Sequence, residues 1–189
     1  MKKLFWLSAA ALIAVGSASA EMITWTTSMS GPAEAPPNNS PGIGLAQVDI
    51  DTVANTMRVQ ASFSGLLGNT TIAHIHGPTA VPGAGTAGVA TQLPSFSGWP
   101  AGVTAGVYDN TFDLTLASTY AAGFISANGG TPLGARDALI AAMDAGRAYF
   151  NVHTSSFTGG EIRGFLTRIP EPTSLSLLAL AGLSLIRRR

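Results

Sequence analysis

The chemistry this 189-residue sequence could perform starts from its three histidines, His74, His76 and His153. In Ile72-Ala73-His74-Ile75-His76 the two imidazoles are two residues apart and share one face of an extended strand, with Ala73 and Ile75 on the other. In Ala148-Tyr149-Phe150-Asn151-Val152-His153, Phe150 and Val152 make the apolar face, and His153 lies opposite with Asn151 and Tyr149. In Glu161-Ile162-Arg163-Gly164-Phe165-Leu166, Ile162 and Leu166 point one way and Glu161, Arg163 and Phe165 the other. Turning Ile75, Phe150, Val152 and Ile162 inward puts every histidine, with Glu161 and Arg163, on outward sheet faces. Imidazole suits copper or zinc, and three imidazoles on neighbouring strands could hold one ion. Bonds near 2 Å then require the three nitrogens to converge within about 3–4 Å. The competing reading is structural: histidines ahead of turns hydrogen-bond the backbone, and Glu161 with Arg163 forms a surface or cross-sheet pair worth under about 1 kcal/mol.

Other chemistries find less to work with. Cysteine is absent, which removes thiolate metal sites, cysteine nucleophiles and disulfides. No Gly-x-Ser-x-Gly elbow precedes a helix, so serine-hydrolase chemistry has no nucleophile turn. Asp49 and Asp51 flank a hairpin turn, are expected to be solvated, and belong to no calcium-loop pattern. Asn151 and Thr154 read as strand and turn residues. Of the ten basic residues, only Arg58, Arg136, Arg147, Arg163 and Arg168 fall within 21–169, against nine of the ten acids, a net charge of five minus nine, or −4. A lysine-free acidic domain has no footprint for phosphate backbones, which argues against nucleic acid as a partner.

Short alternating segments separated by Gly, Pro, Asn and Ser must position these side chains, the pattern of an antiparallel sandwich or barrel. The alternation predicts strands near 22–30, 43–51, 56–64, 71–76, 111–116, 147–154 and 161–168, with a hairpin turn at 51–56. A helix is predicted over Pro132 to Ala145, capped by Thr131 and ended by Gly146, with Leu133, Leu139, Ile140 and Met143 on its apolar side. A weaker helix is predicted over Ser118 to Ala127, and long loops over 77–110.

The ends read as targeting segments around one domain at 22–169. Residues 1–20 carry Lys2 and Lys3, an apolar run from Leu4 to Gly16, and the small residues Ala18-Ser19-Ala20, which predict a signal peptide cut before Glu21 and so export machinery as a partner. Residues 170–189 hold Pro170-Glu171-Pro172, an apolar stretch from Thr173 to Ile186, and Arg187, Arg188 and Arg189. Fourteen helical residues span about 21 Å, short of the roughly 30 Å hydrocarbon core, so the tail is marginal as a permanent anchor and suits transient membrane association. With the arginines retained inside, the domain lies outside the cytoplasm.

Two resemblances are specific. The Pro-Glu-Pro, short apolar helix and arginine run resemble the PEP-CTERM sorting signal, which implies processing by an exosortase-type enzyme and delivery to the cell envelope, surface or extracellular matrix, often alongside exopolysaccharide. A plain C-terminal anchor is the alternative. Between the ends, Gly31-Pro32-Ala33-Glu34-Ala35-Pro36-Pro37, Ser64-Gly65-Leu66, Ala73-His74-Ile75-His76-Gly77-Pro78, Tyr149-Phe150-Asn151-Val152-His153-Thr154 and Gly160-Glu161-Ile162-Arg163-Gly164 resemble the CHRD (chordin-type) family. That family implies an extracellular β-sandwich and no established enzymatic activity, hence a binding or structural role toward extracellular polysaccharide or surface proteins.

The domain also resembles Cu,Zn superoxide dismutase in its His-x-His strand, its late strand ending in His and its terminal Gly-x-x-Gly-x-Arg run. This implies an all-β, antiparallel Greek-key β-sandwich with one or two short helices, His74, His76 and His153 as ligands of a single copper, and Arg163 as an anion-attracting residue. The bridging histidine, the zinc set and the disulfide of that enzyme have no counterparts here, which sets dismutase catalysis apart from copper binding.

Overall fold

The computed structural model describes residues 22–170, so the signal-peptide reading and all of the tail beyond Pro170 lie outside the described residues. Eight strands form one antiparallel sheet curled into a half-barrel, an all-β, sandwich-like fold. They are β1 Met22–Ser30, β2 Ile43–Asp51, β3 Thr56–Ser64, β4 Thr70–His76, β5 Gly106–Asp113, β6 Tyr149–Thr154, β7 Ile162–Phe165 and β8 Thr167–Arg168, with helices α1 Ala122–Ala127 and α2 Pro132–Asp144 before β6. The order across the sheet is β4-β6-β7-β1-β2-β3-β5, with β8 also on β1. The chain therefore crosses from one wing to the other after β3, returns for β5, and comes back again for β6.

Period-two patterning sets which face is buried. Along the β1-β2-β3-β5 wing, Ile23 pairs with Ile50, Ile50 with Met57, and Met57 with Phe112; Trp25, Val48 and Val59 form the next row. All seven are buried. The opposite wing adds Ala73, Ile75, Phe150, Val152 and Ile162, each fully inaccessible. Between β2 and β3, the Asp51 carboxylate accepts from the Val53 and Ala54 amides at 2.8 and 2.7 Å, and Asn55 takes the left-handed conformation (φ 55°) that closes the predicted hairpin. Helix α2 starts as its sequence dictates: the Thr131 hydroxyl accepts from the Gly134 amide at 3.1 Å, and Gly146 (φ 63°) follows its end.

Four expectations shift. The strand expected at 111–116 runs over Gly106–Asp113, because Tyr108 and Phe112 are its inward residues while the intervening Asp109 and Asn110 hide the alternation. The strand expected at 161–168 is two pieces, divided at the fully buried Leu166. The weak helix at 118–127 is a 3-10 turn, Ala117–Thr119, followed by α1. Leu133 is 45% exposed, since α2 buries Ala135, Leu139, Ala142 and Met143: two alanines let the helix approach closely, and its stripe turns toward them.

The wings meet where β7 joins β1 through a single registered pair, Ser30 with Arg163. Gly164 permits that join, because a methyl group there would collide with the Ser28 carbonyl and the Thr27 hydroxyl. Gly164→Ala is expected to destabilise the fold by about 1–3 kcal/mol. Gly123→Ala, in α1 with open space around it, is expected to stabilise by about 0.5–1 kcal/mol. Urea midpoints of the two variants measured side by side check both signs.

Candidate metal centre

Pairing across β4-β6-β7 arranges the polar side chains in rows. His153 lies opposite Ile72; His74, Asn151 and Arg163 form one row; His76, Tyr149 and Phe165 form the next. The shared faces inferred from alternation are therefore present. The layer is not open to solvent, however: His74, His76 and His153 are only 2%, 8% and 7% exposed, and Glu161 and Arg163 are also buried. The expected outer sheet face is an interior one.

The cause is an edge. Strand β4 ends the sheet and would leave its outer amides and carbonyls unpaired. The 77–105 segment fills that edge, with the Ala90 amide on the Ile75 carbonyl at 2.9 Å, Phe96 on Ala73 at 3.2 Å and Gly102 on Thr70 at 2.8 Å. Held there, it also folds over the polar face as a cover.

Backbone carbonyls engage one nitrogen of each imidazole. His74 Nε2 lies 2.6 Å from the Pro94 oxygen, His76 Nδ1 3.0 Å from that of Ala87, and His153 Nδ1 2.9 Å from that of Thr158. A carbonyl only accepts, so these nitrogens carry the protons. The lone pairs belong to His74 Nδ1, His76 Nε2 and His153 Nε2, and these three buried atoms have no hydrogen-bond partner among the described residues. Each histidine offers one nitrogen within 4.8 Å of the other two. That is wider than the expected 3–4 Å, and an ion with bonds of about 2 Å would draw the rings inward by on the order of 1 Å. Burial lowers all three pKa values, that of His76 to about 4 with help from the neighbouring histidines and Arg163. Neutral imidazole, the ligating form, is thus the resident state at pH 7.

Around this triad the supports are aromatic and cationic. Tyr149 stacks on His76 with centroids 4.9 Å apart and planes 4° from parallel. The Arg163 guanidinium lies 4.8 Å over the Tyr149 ring and 5.6 Å over that of Phe165. It donates to the Ala33 carbonyl at 2.5 Å and the Gly85 carbonyl at 2.9 Å, fastening both covering segments to β7.

Its acidic neighbour is Glu34, 3.7 Å away, and not Glu161. The expected Glu161–Arg163 pair does not form, because the Glu161 carboxylate is taken elsewhere: it accepts from Ser40 Oγ at 2.6 Å, Thr154 Oγ1 at 2.6 Å, and the Leu67 and Gly68 amides at 2.6 and 3.1 Å. Burial opposes ionisation of Glu161, yet the four donors outweigh it and hold the pKa below the ordinary value. For Glu34 the balance is reversed, and burial pushes its carboxyl up to about 7 against Arg163 and the Ala35 amide. Sequence reasoning missed Glu34 as a site residue. Its signal was a lone acid inside the Gly-Pro-Ala-Glu-Ala-Pro-Pro stretch, where nothing else needs a charge.

The CHRD domain model matches residues 25–166. The chain belongs to the CHRD family. No curated protein and no solved structure matches it. The matched span runs from β1 to Leu166 and so contains the three histidines, both buried acids and the Arg163 clamp of this CHRD domain.

Glu161→Gln places an amide NH2 among four donors and is expected to lower stability by about 1.5–3 kcal/mol in urea unfolding. Acid titration tests the buried groups. The histidines, with folded pKa values below the unfolded 6.5, remove stability as pH falls below about 6.5, His76 over the window down to about 4. Glu34, folded near 7 and unfolded near 4.5, adds stability over an overlapping window. Three groups outweigh one, so the urea midpoint should fall on acidification, and fall more steeply in Glu34→Gln.

Proposed function

We propose that this CHRD domain binds one copper ion through His74 Nδ1, His76 Nε2 and His153 Nε2, and that it does so outside the cytoplasm as a binding protein without turnover. One observation carries the reading: three buried lone pairs, each on a ring fixed by a backbone carbonyl, have no hydrogen-bond partner among the described residues, and the three rings each bring a nitrogen within 4.8 Å of the other two. A purely structural triad would leave three acceptors unsatisfied at about 1–3 kcal/mol apiece, a cost that an ion removes. Among the described residues the donor set is three borderline nitrogens without a thiolate or a coordinating carboxylate, which suits copper or zinc over calcium or magnesium. The carbonyls behind the rings act as outer-shell orienting groups.

The export half of the proposal rests on the signal-like residues 1–20 and the Pro-Glu-Pro and arginine tail. An exosortase-type enzyme would process that tail, and the domain would then sit in the envelope or matrix, where surface polysaccharide or proteins are its neighbours.

Elemental analysis of chain purified from copper-supplemented cells tests the metal half. Wild type should carry one copper per chain, and His76→Ala and His153→Ala should carry almost none. Equal metal in all three would defeat the proposal. Copper at about 100 times its Kd should also raise wild-type stability by about 2.7 kcal/mol, with no effect on the variants.

A further inference from the structure

Beyond copper binding, and resting on that reading, we propose that the site is selective for the monovalent ion and that Arg163 is the positioning residue that sets the selectivity. The first ground is charge. Imidazole is a neutral ligand, no carboxylate joins the three among the described residues, and each ring is buried. The desolvation cost of an ion grows with the square of its charge, so an enclosed all-neutral site penalises a divalent ion far more than a monovalent one.

The second ground is the stack behind His76. A permanent cation lies over Tyr149, and Tyr149 lies flat against the ligand ring. The two rings also share an anchor, since the Ala87 carbonyl meets both His76 Nδ1 at 3.0 Å and the Tyr149 hydroxyl at 3.5 Å. Through that stack the Arg163 guanidinium stands behind the His76 ring. It must bear harder on a dication than on a monocation.

The acids do not cancel this. Glu34 is committed to Arg163 itself, and Glu161 is surrounded by its own four donors. Three-coordinate binding by three imidazoles also satisfies copper(I), whereas zinc in structural sites takes four ligands.

The purified full chain, titrated anaerobically with copper(I) against a chromophoric chelator and separately with copper(II) and zinc(II), tests the proposal at pH 8. One copper(I) per chain should bind at least about 100-fold more tightly than either divalent ion, a margin far beyond the few-fold differences of an unselective site. Arg163→Gln should narrow the copper(I)/copper(II) ratio by about tenfold, read also as a fall of about 59 mV in reduction potential, and Arg163→Lys should restore most of it. Glu34→Gln, which keeps the guanidinium but removes its counter-charge, should widen the ratio; it decides the matter should Arg163→Gln fail to fold. Tighter or equal divalent binding overturns selectivity while leaving copper binding intact. An unchanged ratio in the folded variants overturns the role of Arg163, and absence of any metal binding overturns both readings together.

Discussion

The carboxylate of Glu161 is the point on which the polar half of this molecule depends. It gathers a serine from the segment after β1, two backbone amides from the turn before β4, and a threonine from the end of β6. Its own backbone is fixed as well: the amide donates to Val152, and the carbonyl accepts from the Asn38 side chain. An ionised group in the interior is tolerable only when its lone pairs are filled, and here four donors fill them. Because those donors come from segments far apart in sequence, satisfying one charge also sets where β4, β6 and the 31–42 segment lie relative to each other. The histidine rows across β4 and β6 inherit their alignment from that arrangement.

Arg163 performs the matching task on the other flank of the layer. Its guanidinium binds carbonyls of Ala33 and Gly85, while the aromatic faces of Tyr149 and Phe165 receive its charge. Neither charged residue serves the other. Each closes a different part of the cover, so the imidazoles sit in an interior built from polar side chains, with the apolar core of the sheet behind them.

Much of this was legible in the sequence because it follows from period two. Which residues share a face with His74, His76 and His153 was readable from Ala73, Ile75, Phe150 and Val152, and the helix at 132 from its threonine cap and closing glycine. Burial of that face was not legible. Alternation separates the two sides of a strand but does not say whether a loop will cover the second side, and the Gly, Pro and Ala-rich 77–105 stretch has no periodicity to reveal that it pairs with an edge. The partners of Glu161 and Arg163 were hidden for a related reason. The two acids and the arginine choose among donors and acceptors by three-dimensional reach, and proximity in sequence suggested a pair that the geometry does not make.

The cover has a kinetic side. Two of the three carbonyls that orient the imidazoles, those of Ala87 and Pro94, belong to the segment that also completes the edge of β4. An ion at the proposed site would have this segment and its edge hydrogen bonds in its path, so its residence time would depend on local unfolding of one strand edge as well as on the strength of the ligand bonds. With an ion in the proposed site, such a domain would act as a slow-exchanging store, insensitive to brief changes in the surrounding medium.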